Sequence, residues 1–372
     1  MRPLPILSAL GVLASSATAQ VVSLGPPSAV LSEDFSFIRG VRELSSGKLL
    51  IADWVENRVV LADFTANTVT QVMREGPGPN ELRLPMGLVR YRGDSTLLLD
   101  FGNSRISVLT PAGRAAYTIL AEAPGASGVR GASPSGEFFF AFPSWAEREN
   151  ALPDDSVRLI RWRPGIDART NVAVVQGTRW RKDRSPAMEP RLPMVGYAAQ
   201  DGWTLTPAGA LVIVRSAPYR VEVLTADGAK QVGPALETTR RPVTLDDKRR
   251  FVREFAVGGA QSGRGENGGM GRAPEATARQ LARDVELTEW ATEHPPFDAG
   301  AVLADLRERV WVGAEAEPGK PRRYDVFDLT GRRVMQVEIG AGRRIAHVGA
   351  QGVYVIAEDA DGIQRLERYK VP

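Results

Sequence analysis

Two aspartate–arginine pairs share one spacing: Asp53 stands five residues before Arg58, and Asp100 five before Arg105. A carboxylate so placed could serve as a general base or a metal ligand, and a guanidinium beside it could hold an oxyanion. The pairs recur 47 residues apart in matching surroundings, LLIADWVENRVVLAD and LLLDFGNSRISVLT. Recurrence favours the structural role, a charge-assisted clamp across one short loop in each copy that keeps it. Arg215 and Arg220 occupy the same two positions further along. Two cations there repel, so an acidic neighbour, an anionic ligand or separation in solvent must relieve them.

Other groups with chemical capacity are few. Between 177 and 200, Arg179, Arg181, Lys182, Arg184 and Arg191 outnumber Asp183 and Glu189 by three, and Trp180 lies among them. Such a segment can bind a carboxylate, a glycan or a phosphate, or it can be a solvated loop with its tryptophan packed down. Trp145, Trp203 and Trp290 pose the same choice, and Arg39, Arg42, Arg90 and Arg130 are the main charges of the segments read below as inner strands. The histidines number two, His294 and His347, each read as structural, and there is no cysteine, which leaves little for a zinc site. No G-x-S-x-G is present, and the Gly-rich stretch 258–272 lacks the G-x-x-x-x-G-K-[ST] of a phosphate cradle. No catalytic residue, metal or cofactor is assigned. A net charge of +3 drawn from 47 basic and 44 acidic residues is no footprint of a nucleic-acid binder.

The elements that must position these groups form a repeat. Hairpin turns recur at Gly47, Gly93, Gly136, Gly209, Glu308 and Gly352, each followed by a run of aliphatic, aromatic or β-branched residues. Three of the intervals match a four-stranded propeller blade, and two are a blade plus an insertion. Third strands follow at 58–63, 105–109, 157–162, 220–224, 322–327 and 363–370. Six blades result, in an all-β six-bladed β-propeller closed by pairing its two ends, with Val21–Leu24 as the outer strand of blade six.

At this point the sequence resembles the NHL-type six-bladed propellers, in particular a group of exported bacterial proteins. The resemblance rests on the two segments quoted above, on EGPGPNELRLPMGL between them, and on RVWVGAEAEPGKPRRYDVFDLTGRRV. It covers residues 35–140 and 295–372 and implies fold rather than activity, since such propellers host binding modules, scaffolds, lyases and lactonases.

The ends and insertions complete the reading. Met1-Arg2, the apolar run Pro5–Ala14 and Ala-Thr-Ala before Gln20 form an export leader over 1–19, with 20–372 as one propeller domain outside the cytoplasm. No later segment is long and apolar enough to span a membrane. Antiparallel blades put insertions 144–156, 177–200 and 236–297 on one face, called upper. The last carries a helix over 243–257, capped by Thr244 with Leu245, Phe251, Val252 and Phe255 as its apolar stripe, and a second over 276–290. The function this supports is an exported, monomeric binding or scaffold module that takes a peptide, a glycan, a small anionic ligand or another envelope protein on its upper face. Candidate ligand-binding residues are Arg39, Arg130, Trp145, Trp180, Arg181, Arg215 and Arg220, with Asp53, Arg58, Asp100 and Arg105 as blade clamps. The alternative is a metal-dependent hydrolase or lyase acting at the channel mouth.

Overall fold

The computed structural model describes residues 20–120, 128–142, 155–166, 169–179, 194–262 and 278–372. The leader, Trp145, Trp180 and Arg181 lie outside the described residues. Six sheets follow one another along the chain, each built on antiparallel strands in sequence order. Their first strands are Ile38–Glu43, Pro85–Arg90, Val129–Ala132, Gly202–Leu205, Val302–Ala304 and Arg343–Val348. Each of these contacts the next, and the last contacts the first, which closes a ring around a central channel. The fold is the six-bladed β-propeller read from the repeat.

Burial on both faces explains why the second strands are almost wholly apolar. In Leu49–Asp53, Leu49 and Ile51 pack with Tyr354 and Ile356 of blade six, while Leu50 and Ala52 pack with Leu98 of blade two. A half-solvated strand would alternate; a strand sandwiched between two blades cannot. The turns behind them use positive φ at Gly47, Gly93, Gly136 and Gly209, and Glu308 adopts the same conformation at φ 60. Gly352 does not. There a Cβ would meet Arg368 Cγ at 2.6 Å and the Tyr369 carbonyl oxygen at 3.0 Å, so the glycine permits close approach of two strands.

The ring closes at its ends, but through a different segment from Val21–Leu24. Gln20–Ser23 adds in parallel to Arg333–Ile339 at the outer edge of blade five. Ala29–Val30 pairs with Gln364–Tyr369 and completes blade six. The reason is packing: Leu31 and Phe35, each 1% exposed, are wedged between blades six and one and fix the register. Only two residues remain opposite the last strand before Pro26 and Pro27, and the residues ahead of the prolines cross to the neighbouring edge.

The insertion between blades four and five contains helices α1 (Leu245–Ser262) and α2 (Ala278–Leu287). Thr244 caps α1 in a reciprocal box: its hydroxyl accepts the Asp247 N–H at 3.2 Å, and the Asp247 carboxylate accepts the Thr244 N–H at 3.0 Å. Leu245 does not belong to the packed stripe and is 54% exposed, because Asp247, 4% exposed, leads the inward face with its ion partners. Phe251 and Val252 do face inward, with Phe251 centred 4.9 Å from Tyr197 and 5.6 Å from Trp290. No helix among the described residues is long and apolar enough to cross a membrane.

Closure is testable at one side chain. Phe35→Ala removes the anchor of the closing segment without touching its backbone hydrogen bonds. We expect a loss of about 3–5 kcal/mol in denaturant unfolding, together with fast amide exchange at Leu366 and Arg368, whose carbonyls and neighbours pair with the first segment.

Candidate functional site

The second residue of each inner strand lies toward the upper end of its strand, at heights that differ from blade to blade. In blades one to six these are Arg39, Met86, Arg130, Trp203, Leu303 and Arg344. Two of the three arginines are set there by the backbone. Pairing skips from Ile38 to Gly40 in blade one and from Val129 to Gly131 in blade three, so Arg39 and Arg130 are the extra residues of β-bulges. A bulge leaves its extra residue out of the ladder and re-aims the side chain.

Arg39 and Arg130 are solvent-exposed, yet desolvation lowers the pKa of both guanidinium groups. Both guanidinium groups are thus partly desolvated by surrounding protein while their side chains still reach solvent. The Arg39 guanidinium lies 5.5 Å from the rings of Phe37 and Trp54, and that of Arg130 lies 5.8 Å from Trp203. Neither has a hydrogen bond or ion pair with any described residue. Arg344, half-buried, donates to the Ile38 carbonyl at 2.9 Å. Burial lowers it, and repulsion from Arg322 and Arg39 adds to that, against the opposing pull of Glu358. Among the described residues Asp298 is the carboxylate acting on Arg130, and it is held by Arg322 at 2.7 Å. Among the described residues, three of the six second positions therefore carry arginine and three carry apolar side chains.

Arg215 and Arg220 are placed quite differently. Arg215 contacts Asp201 at 2.8 Å and Glu222 at 3.1 Å, and Arg220 contacts Glu222 at 2.8 Å, with Lys230 a further partner at 3.3 Å. The acidic neighbour that two repelling arginines require is thus Glu222, two residues beyond Arg220 on the same strand. The other pairs divide. Asp100 receives Arg105 at 2.8 Å and the Arg83 N–H at 2.8 Å. Asp53 lies 4.0 Å from Arg58 and instead accepts the N–H groups of Ser36 and Phe37 at 2.9 and 3.1 Å. Arg58 turns to Glu33 at 2.8 Å.

The two long crossings are stitched together. Gly196 bridges Trp290, and Pro242 bridges Glu293. Beneath α1, Asp247 collects Arg241 at 3.0 Å, Arg250 at 2.8 Å and the Thr244 hydroxyl at 2.7 Å. Burial would raise this carboxyl, but its hydrogen bonds hold it far below the usual range. His294 Nε2 is 3.1 Å from the same carboxylate, out of line for a hydrogen bond, and burial lowers its pKa. Among the described residues no three His, Asp or Glu side chains are grouped to hold a metal ion.

Arg344, Asp201 and Glu222 were not singled out from sequence, and Asp247 was read as a first-turn residue of the helix rather than as the centre of an ion cluster. For Arg344 a signal existed, since it repeats the second-residue position of Arg39 and Arg130. Glu222 was in view two residues beyond Arg220 on one strand, whereas Asp201 and the partners of Asp247 depend on insertions whose path no local pattern gives.

No protein-family model matches the chain, and no curated protein does. Solved structures of similar shape exist. A gluconolactonase from Xanthomonas campestris is 11% identical, with 91% of each chain covered and a TM-score of 0.44. A structural genomics protein from Bacteroides thetaiotaomicron is 12% identical, over 95% of this chain and 75% of that one, at 0.45. A virginiamycin B lyase from Staphylococcus aureus is 12% identical, over 92% and 87%, at 0.37. None of these likenesses carries a ligand or a reaction over to this chain.

Blade four offers a pH test. Burial would raise the Glu222 carboxyl, but hydrogen bonds from Arg215, Arg220 and Lys230 overcome it and bring it from 4.5 down to about 2. A depressed carboxylate stabilises the fold above its unfolded pKa and loses that contribution as pH falls through the folded value. Glu222→Gln should cost about 3 kcal/mol at pH 7, and the gap to the parent chain should close between pH 5 and about 2 in denaturant titrations.

Proposed function

We propose that this chain is an exported binding module of the NHL propeller type whose upper channel mouth recognises a small organic anion. One observation carries the reading: Arg39 and Arg130 are the extra residues of β-bulges and make no ion pair with any described residue, while Asp298, the carboxylate acting on Arg130, is itself held by Arg322. A guanidinium in a partly desolvated channel gains more from an oxyanion than one in bulk water, and its planar fork suits carboxylate or phosphate. Arg344 adds a third donor. Met86 and Leu303, half-buried second residues of their inner strands, favour a ligand with an apolar or sugar portion beside its charge.

The export leader supports placement outside the cytoplasm, and the stitched crossings supply a lid over the same face. Arg215 and Arg220, neutralised by Glu222 and Asp201, are scaffold in this reading.

Calorimetric titration with succinate, glucuronate and inorganic phosphate tests it. At least one should bind, with affinity falling as salt rises. Arg39→Gln and Arg130→Gln should each weaken binding about 10-fold or more, whereas Arg215→Gln should leave affinity unchanged. Absence of binding by every anion, or binding indifferent to Arg39 and Arg130, would sink the proposal.

A further inference from the structure

The lower end of the channel carries a second cationic cluster. Inner strands run from the upper to the lower face, so their last residues meet there: Arg42 and Glu43 in blade one, Arg90 in blade two, His347 and Val348 in blade six. Arg42 is 3% exposed. Its Nη1 donates to Thr96 Oγ1 at 2.6 Å and its Nη2 to Asp94 Oδ1 at 3.0 Å, while its buried Nε has no partner among the described residues. Arg90 is exposed and makes no hydrogen bond or ion pair with any described residue. His347 is half-buried and stacked on Tyr354, ring centres 6.1 Å apart and planes at 25°. Its nitrogens take no hydrogen bond from a described residue.

The three groups sense one another. Arg90 lowers the pKa of Arg42, and both arginines act on His347. The nearby carboxylates are engaged elsewhere. Asp94 is shared between Arg42 and Ser45, and Glu43 is held by the N–H groups of Ala350 and Gln351 and by the Tyr354 hydroxyl at 2.7 Å. One guanidinium, one buried and orphaned N–H and one half-buried imidazole thus sit at the lower ends of the inner strands of three consecutive blades.

We propose that this lower mouth is a second oxyanion site, independent of the upper one, in which Arg90, the Nε of Arg42 and His347 hold a small dianion such as sulfate or a phosphate group. The imidazole is also the reporter. Burial, then repulsion from Arg42 and Arg90, pushes its pKa down to about 4, so it is neutral at pH 7. A bound dianion offsets that repulsion and favours the imidazolium, so affinity for an anion of fixed charge rises as pH falls.

The chain has two histidines, so selective ¹³C-histidine labelling gives two imidazole signals, assigned with His294→Gln. The midpoint of His347 is followed by NMR on lowering the pH, in sodium sulfate and in sodium chloride of equal ionic strength. Sulfate should raise it by about one unit relative to chloride while His294 stays put. In Arg90→Gln the midpoint should already be raised in chloride, and sulfate should move it no further. An Arg39→Gln/Arg130→Gln chain should keep the sulfate effect. Equal action of chloride and sulfate, no movement of His347, or loss of the effect on mutating the upper arginines overturns the proposal. Since the upper and lower variants are separate, either site can fail without the other.

Discussion

The N–H of Ser28 bonded to the Arg368 carbonyl, that of Leu31 to Leu366, and that of Phe35 to Gln364 tie the first described segment to the last strand. Without them blade six has three strands and an open edge, and the inner strands lose the closed geometry that makes a channel. An open edge is costly because its N–H and C=O groups compete for any passing strand. Here two residues of strand and two buried side chains suffice, since closure in a ring needs only that the final sheet be fixed against its neighbours. The outermost strand of blade five is covered in turn by Gln20–Ser23, so the same short segment serves two blades.

Closure also accounts for the unusual chemistry of the channel. Six inner strands crowd toward the axis, and the ladders of blades one, two, three and six relieve that crowding with register shifts. In blade two the shift falls on Met86 and Gly87, and in blade six on Ala346, residues that carry no charge. In blades one and three it falls on arginine. A guanidinium loses less than an ammonium when partly desolvated, because it is more weakly hydrated and can lie against aromatic rings. The rings of Phe37, Trp54 and Trp203 meet that condition. Positive charge at the mouth is therefore sustained by the fold even before a ligand is considered.

What the sequence made legible follows from where the physics is local. Strand runs and positive-φ glycines are local, and they placed all six blades, including third strands to within a residue at Arg322–Phe327 and Arg105–Leu109. Glu308 shows the limit of the glycine rule, since a turn can take positive φ with a Cβ when its carboxylate finds the Ala208 N–H at 3.0 Å. Pairing of the chain ends is not local. Val21 alternates with its neighbours as well as any edge strand, and only the burial of Leu31 and Phe35 decides which residues lie opposite Leu366. Of the site, Arg39 and Arg130 were visible as charges in apolar strands. The Asp247 cluster was hidden because Tyr197 reaches it from the other long insertion and His294 from the far end of its own.

The aspartates of the blades share a task more general than pairing with arginine. The crossings that enter blades one, two, four and five at the upper face arrive with backbone N–H groups outside any ladder, and buried N–H groups need acceptors. Asp53 takes those of Ser36 and Phe37, and Asp100 takes that of Arg83. In blade four the corresponding strand end is Arg215, yet an acceptor is still present: Asp201, at the end of the crossing itself, takes the N–H groups of Gln176 and Ser216. In blade five Gly313 stands at the strand end, and Asp298 of the crossing takes the Gly300 N–H. The carboxylate stays in place while the segment supplying it changes. Both blades in which the crossing supplies it are those entered by the long insertions. An insertion that brings its own acceptor to the point of entry can lengthen freely, because the blade behind it no longer depends on the crossing's path. That independence lets the upper face carry large, stitched segments on a ring whose strands keep one repeat.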